Sequence, residues 1–158
     1  MTDDRARPLP PCGIYRTTLR LGDIPAGRLV SFHNHGDPDP GVYLPLGWRH
    51  GRAVFDTRGA PLPGAWWAAT LDPLAPEGFY RVREPFPCCE KRCRMYEPDQ
   101  LVQLGYDPEG RPLLFVPELV DDALVWPAAG NLLDRPLLAK LAPLKVAASV
   151  SAPPAPDP

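Results

Sequence analysis

Apolar and polar residues alternate with a period of two along much of the chain, which is typical of β-strands with one buried face. Runs of this kind, rich in β-branched and aromatic residues, are separated by clusters of glycine, proline and aspartate. The pattern predicts strands over residues 14–20, 29–33, 41–44, 52–55, 65–71, 79–83, 101–106, 112–116 and 123–126.

Two hairpins stand out in this pattern. Strands 101–106 and 112–116 flank Asp107-Pro108-Glu109-Gly110, in which Pro and Gly occupy the places where a four-residue turn needs a fixed and a permissive φ. Strands 14–20 and 29–33 flank a glycine-rich segment from Gly22 to Gly27. We therefore expect each pair of strands to be antiparallel neighbours.

One helix is predicted near the C-terminal end of the sequence. Asp134 can cap it, Pro136 occupies its first turn, and Pro143 ends an apolar stripe formed by Leu137, Leu138 and Leu141. Together the elements predict a mainly β fold, a small barrel or sandwich of about seven or eight short strands with one short C-terminal helix.

Composition sets the domain boundaries. The chain has 158 residues, of which 24 are proline and 13 glycine, so short strands and structured loops are favoured over a helical bundle. We predict a flexible N-terminal arm over residues 1–11 and a single β-rich domain over residues 12–146. Residues 147–158, which end in Pro-Pro-Ala-Pro-Asp-Pro, form a disordered, polyproline-like tail in this prediction.

Charge and hydropathy restrict the partners. The formal net charge of −2 gives no electrostatic reason to expect nucleic acid or an anionic membrane. No run approaches the roughly 20 apolar residues of a membrane span, and the N-terminal residues do not resemble a secretory signal. We therefore expect a cytoplasmic protein whose four cysteines are reduced.

Three cysteines lie close together in the sequence, at Cys88, Cys89 and Cys93. Thiolates are zinc ligands, and the intervening Lys91 and Arg92 favour the thiolate form. The spacing differs from the common Cys-x2-Cys knuckle. The alternatives are a redox or nucleophilic role and simple burial as small apolar residues.

His33 and His35 form a His-x-His pair whose side chains share one face of a strand. Residues Gly27 to Asp39 resemble the first metal-binding motif of the cupins, small β-barrels that often bind a metal through two His, one Glu and a later His. Asp39 stands in the place of the Glu, and no later segment matches the second motif. The resemblance implies a metal at His33 and His35; the alternative is two hydrogen-bonded histidines at a strand end.

Adjacent Trp66 and Trp67 point to opposite faces of the predicted strand, so one fills the core and the other faces outward. An outward Trp is a suitable anchor for a protein partner, and Arg81 and Arg83 on the next strand are placed to frame it. Burial of both tryptophans under a loop is the alternative.

The sequence has no nucleophile elbow, phosphate-binding loop or dinucleotide fingerprint, so an enzyme is not the favoured interpretation. The leading hypothesis is a non-catalytic module that binds another protein through Trp66, Trp67, Arg81 and Arg83. The rival hypothesis is a zinc- or iron-binding protein, structural or a cupin-like enzyme. Its metal would be bound by His33 and His35 together with Cys88, Cys89 and Cys93, provided that the two groups meet in space.

Overall fold

The computed structural model describes residues 7–36, 40–88 and 94–148. Strand accounts for 43% and helix for 7% of the described residues, so the prediction of a mainly β protein is confirmed. The sheets are antiparallel, and none of those described closes into a barrel. No helix in the described part of the chain has the length and apolar character needed to cross a membrane.

The first sheet has five strands in the order β6-β3-β2-β1-β7. Its members are β1 (Gly13–Arg16), β2 (Leu29–His33), β3 (Gly41–Tyr43), β6 (Ala60–Pro61) and β7 (Asp72–Pro73). The predicted pairing of β1 with β2 is present, with Gly13 opposite Phe32 and Arg16 opposite Leu29. Gly22 and Gly27 have positive φ in the connection between these strands, as a glycine-rich turn requires.

The second sheet has five strands in the order β15-β12-β11-β8-β16. Its members are β8 (Gly78–Val82), β11 (Leu101–Tyr106), β12 (Pro112–Phe115), β15 (Asn131–Leu132) and β16 (Leu141–Pro143). The β11–β12 hairpin closes as the sequence predicts. The side chain of Asp107 accepts hydrogen bonds from the backbone N–H groups of Glu109 and Arg111, and Gly110 has a φ of 73°.

Three two-stranded ribbons complete the described chain. They are formed by β4 (Pro45–Arg49) with β5 (Arg52–Phe55), β9 (Phe86–Pro87) with β10 (Met95–Tyr96), and β13 (Glu118–Val120) with β14 (Ala123–Val125). Sixteen strands are therefore described, where the sequence predicted about half as many. Many span only two or three residues, because proline lacks the N–H that a longer ladder needs.

The strand predicted over residues 65–71 is wrong. Residues Ala65–Ala68 form a short helix, α1, which follows Pro61, Pro63 and Gly64. The prolines end the strand ladder, and the alanines on both sides of the tryptophans favour helix over sheet.

The helix predicted near residue 134 is a 3₁₀ helix over Arg135–Lys140, with Pro136 in its first turn. Asp134 makes no side-chain capping bond; its backbone carbonyl accepts the N–H of Leu137 at 2.9 Å. Strand β16 begins directly after Lys140 and pairs with β8, so the helix does not extend beyond Lys140.

The two faces of β2 contribute to different cores. Val30 and Phe32 face a first core, which contains Trp67 of α1. Leu29, on the opposite face of β2, belongs to a second core shared with the second sheet. The first sheet is therefore a middle layer between α1 and the second sheet.

Polar contacts also join the two sheets. Arg135 of the 3₁₀ helix forms a two-pronged ion pair with Asp72 of β7, and its Nη2 also donates to the carbonyl of Pro73 at 2.8 Å. From the first sheet, Arg16 Nε donates to the carbonyl of Glu109 at 2.9 Å, at the tip of the β11–β12 hairpin.

Candidate functional site

A cysteine and two histidines meet at one end of the first sheet. The paired part of β1 and β2 ends at Gly13 and Phe32, and one further step of the same antiparallel register sets Cys12 beside His33. His35 follows two positions after His33. Strand pairing therefore brings together residues that are more than twenty positions apart in the sequence.

One ligand atom from each of Cys12, His33 and His35 lies within 4.8 Å of the other two. The two imidazole rings approach edge to face, with their centroids 5.9 Å apart. Cys12 and His35 are exposed and His33 is half-buried. The three side chains thus converge on one point at the protein surface.

Neighbouring groups hold two of the three side chains in place. The Cys12 thiol donates to Asn34 Oδ1 at 3.2 Å, and the backbone N–H of Asn34 donates to Cys12 Sγ at 3.3 Å. The ring of His33 packs edge to face against Tyr43, with centroids 5.0 Å apart. The same backbone N–H would remain as a donor to the sulfur if Cys12 bound a metal.

Residues just before β1 contact the domain and fix the position of Cys12. Tyr15 donates its hydroxyl hydrogen to the carbonyl of Pro11 at 2.7 Å, and Asn34 Nδ2 donates to the carbonyl of Pro10 at 3.3 Å. Burial and, to a smaller extent, the charge of Cys12 raise the pKa of Tyr15. Tyr15 therefore keeps its proton and its hydrogen bond at neutral pH.

A cleft of about 580 Å³ borders the site and shares Cys12 with it. Its walls include Ile14, Phe55 and Leu74, and Glu77 lies at its polar end. Glu77 Oε2 accepts the backbone N–H of Ala53 at 3.0 Å. Burial raises the pKa of Glu77, and the Ala53 hydrogen bond only partly offsets this effect.

The structure separates Cys88 from the histidine pair. Cys88 is only 7% exposed and packs in the second core with Phe86 and Tyr96, whose rings stack at 4.9 Å. Its backbone N–H donates to the carbonyl of Arg94 at 2.9 Å. Cys89, Cys93 and Asp39 lie outside the described residues. Cys88 is thus not among the three converging ligands.

The sequence interpretation assigned the thiolate ligand to the cysteine cluster, whereas Cys12 is the thiol that lies beside the two histidines in the structure. The available signal was the predicted pairing of strands 14–20 and 29–33, which places the residues before the first strand near those after the second. The exact register was not predictable. The sequence placed the turn only within residues 22–27; in the structure the connection has a bridge between Leu21 and Ile24 in the same register as β1 and β2, so the turn centres on Gly22 and Asp23.

The residues predicted to bind a partner are separated in the structure. Trp67 is 1% exposed and fills the first core, whereas Trp66 is 44% exposed on α1. Arg81 lies on β8 in the second sheet and pairs with Asp99 at 2.8 Å. Arg83 follows β8, and its backbone N–H donates to the carbonyl of Lys140. Trp66 and the two arginines therefore belong to different layers.

Comparison of the chain with protein-family models, with curated proteins and with solved structures gave no match. The chemistry of the converging side chains therefore carries the functional argument.

Proposed function

We propose that the protein binds zinc through Cys12, His33 and His35. The observation that carries this proposal is the convergence of one sulfur and two nitrogen ligand atoms within 4.8 Å of one another. The sequence hypothesis of a metal at the His-x-His pair is retained, with Cys12 as the thiolate ligand.

The distances suit a small tetrahedral ion. Zinc binds sulfur at about 2.3 Å and imidazole nitrogen at about 2.0–2.1 Å, which separates its ligands by roughly 3.5 Å. Ligand atoms within 4.8 Å reach that separation through small side-chain rotations, without a change in the sheet. A thiolate and two imidazoles form a mixed set that favours zinc over magnesium or calcium, which prefer oxygen ligands.

The position of the site favours an open coordination sphere. Three protein ligands leave a fourth tetrahedral position, and the adjoining cleft gives a small molecule or water access to it. Neither core cluster contains Cys12, His33 or His35. We therefore expect the metal-free protein to remain folded, unlike a domain whose fold depends on zinc.

Elemental analysis of untagged protein, purified in reducing buffer without chelator, tests the proposal. We expect about one equivalent of zinc per chain, and its loss in Cys12→Ser and in His33→Asn. Cobalt substitution adds a spectroscopic test, because a Co²⁺–thiolate bond gives a charge-transfer band that requires Cys12. Iron in place of zinc would identify the other metal of the original hypothesis.

Two variants provide matched controls. His50→Asn removes a histidine outside the site at a position with a φ of 51°, which Asn tolerates. Cys88→Ala removes the buried thiol of the second core. Both should retain the metal. A chain that binds no zinc, or that loses it equally in the control variants, would contradict the proposal.

A second candidate function, binding of another protein, rests on a separate observation. The β13–β14 ribbon exposes four apolar side chains, those of Leu119, Val120, Leu124 and Val125. Leu119 and Leu124 are directly paired on one face of the ribbon, whereas Val120 and Val125 lie on the other face. Exposed apolar side chains paired in this way are typical of interaction sites. The hypothesis of a protein-binding module is therefore retained, with the ribbon as the proposed binding surface instead of Trp66 and the two arginines.

Affinity capture with paired variants tests this second candidate. Leu119 is 74% exposed on the ribbon, and Leu46 is 70% exposed on β4, so the two residues form a matched pair. A specific partner should be lost with Leu119→Asp and retained with Leu46→Asp and with Trp66→Ala. Equal recovery by all variants would reject the ribbon as the binding surface.

A further inference from the structure

A second and larger cleft, of about 850 Å³, opens on the second sheet. Pro127 and other apolar residues line it together with five aromatic side chains, those of Trp48, Phe79, Tyr106, Phe115 and Trp126. The rings of Phe79 and Trp126 lie 5.3 Å apart at a tilt of 55°. We call this cleft the aromatic groove.

Hydrogen bonds fix the walls of the aromatic groove. Trp48 Nε1 donates to the carbonyl of Tyr106 at 2.7 Å, which attaches β4 to the second sheet. The buried Gln103 donates through Nε2 to the carbonyl of His50 at 2.7 Å, which holds the β4–β5 turn. The groove is therefore formed before any ligand arrives, which lowers the cost of binding.

Glycine permits the close packing that shapes the groove. A Cβ on Gly105 would lie 2.3 Å from the carbonyl oxygen of Gly51, and a Cβ on Gly130 would lie 3.0 Å from the ring of Phe115. These contacts leave no room for a side chain at either position. The backbone itself thus forms part of the groove wall beside the aromatic rings.

The chain leaves the second sheet beside this groove. Directly after β16, the backbone N–H of Leu144 donates to the carbonyl of Phe79 at 2.9 Å, and Phe79 lines the groove. Pro153 is nine positions farther on. At about 3.1 Å per residue in a polyproline II conformation, that length spans roughly 28 Å. It is long enough for the segment to turn back over the rings.

The composition of residues 149–158 suits such a groove. The segment contains Pro153-Pro154-Ala155-Pro156, a Pro-x-x-Pro sequence. Segments of this type dock into aromatic-lined grooves, because proline rings pack against aromatic faces and a preformed polyproline II helix loses little entropy on binding. We propose that the aromatic groove binds the chain's own residues 150–158, with the Pro-Pro-Ala-Pro sequence against Phe79 and Trp126.

Indole N–H signals in nitrogen-15 correlation spectra test this proposal. The full chain is compared with a chain that ends at residue 148. We expect the signals of Trp48 and Trp126 to differ between the two chains, and those of Trp66 and Trp67 to coincide. A synthetic peptide of residues 147–158 should restore the full-chain positions when it is added to the shortened chain.

Peptide affinity gives the second measurement. The affinity of the shortened chain for the peptide should be at least about tenfold higher than that of the full chain. In the full chain the tethered segment competes at millimolar effective concentration. Trp126→Ala should weaken binding by about tenfold or more, since an aromatic anchor is removed. Trp66→Ala, which changes an exposed tryptophan on α1, should leave the affinity unchanged.

Substitution of Pro153, Pro154 and Pro156 by alanine in the full chain repeats the comparison without shortening the protein. It should shift the Trp48 and Trp126 signals in the same way as truncation. Coincident signals in all chains, or equal peptide affinity of the full and shortened chains, would overturn the proposal. Full-chain signals that move on dilution would also overturn it, because they would assign the groove to a second copy.

Discussion

Cys12 and Cys88 carry the same functional group in opposite surroundings. Cys12 is exposed at the end of the first sheet, beside two imidazoles and a backbone N–H. Cys88 is buried in the second core, beside the stacked rings of Phe86 and Tyr96. The first environment places the thiol among possible metal ligands at the surface, whereas in the second it packs as a small apolar side chain.

The difference teaches that closeness in sequence and closeness in space are separate properties. Cys88 has two cysteines within five positions of it, yet the structure places it in a core. Cys12 is isolated in the sequence, yet strand pairing gives it two histidine neighbours. Here strand register brings an isolated cysteine to a local His-x-His pair.

The largest expected effect is a loss of stability in the second core, where Cys88 is buried. Phe86→Ala should lower the free energy of unfolding by about 3–5 kcal/mol, because it leaves a cavity beside Cys88 and Tyr96. Cys12→Ala should change it by less than about 1 kcal/mol in the absence of metal, since the side chain is exposed. Urea denaturation measures both values. Comparable losses would mean that Cys12 contributes to folding.

With zinc present, Cys12 should contribute more to stability than Cys88. At a free zinc concentration 100 times the dissociation constant, binding to the folded state adds about 2.7 kcal/mol to the stability. We expect this gain in the wild type and in Cys88→Ala, and its absence in Cys12→Ala. Urea midpoints with and without zinc provide the measurement. A gain that survives in Cys12→Ala would place the metal elsewhere.

Thiol reactivity separates the two cysteines directly. In a Cys89→Ser, Cys93→Ser background, Cys12 should react with a disulfide reagent at least about tenfold faster than Cys88, because only exposed thiolate reacts readily. Zinc should slow the reaction of Cys12 and leave that of Cys88 unchanged. Mass spectrometry of the labelled peptides identifies the site. Faster labelling of Cys88 would contradict the burial described here.

The smallest expected effect concerns Glu77, in the cleft beside Cys12. Burial raises the pKa of its carboxyl in the folded state, so the folded chain binds more protons than the unfolded chain between the unfolded and the raised pKa. The contribution of Glu77 to stability therefore falls as the pH rises through that interval.

Glu77→Gln keeps an acceptor for the Ala53 N–H and removes the charge. It should be modestly more stable than the wild type at neutral pH, and the difference should vanish below the unfolded pKa of about 4.3. Urea midpoints of both chains across this pH range measure it. A difference that is independent of pH would show that ionisation of Glu77 is not its cause.

The features that the sequence predicted correctly are those determined locally. The β11–β12 hairpin follows from its turn, in which the Asp107 side chain accepts a backbone N–H and Gly110 has a positive φ. Neighbouring residues therefore suffice to predict it. The closeness of His33 and His35 was also predictable, because the two residues are only two positions apart, although His35 lies beyond the end of β2.

The features that it missed depend on tertiary contacts. Ala65-Trp66-Trp67-Ala68 has strand-like aromatic residues, but the first core accepts Trp67 from a helical turn while Trp66 remains outside. Cys12 could be assigned to the site only with the β1–β2 register, and the sequence located the intervening turn only to residues 22–27. Neither outcome is encoded within a window of a few residues.

The ties between the two sheets bear on how the chain folds. The Arg16–Glu109 hydrogen bond joins positions 93 apart, and the Arg135–Asp72 pair joins positions 63 apart. Each of these contacts closes a long loop, so the chain must lose the conformational entropy of that loop before the contact contributes to stability. Folding should therefore be slow for a chain of this length, as it is for β topologies of high contact order. Because distant segments brace each layer, the two sheets should lose their structure together in a single cooperative transition.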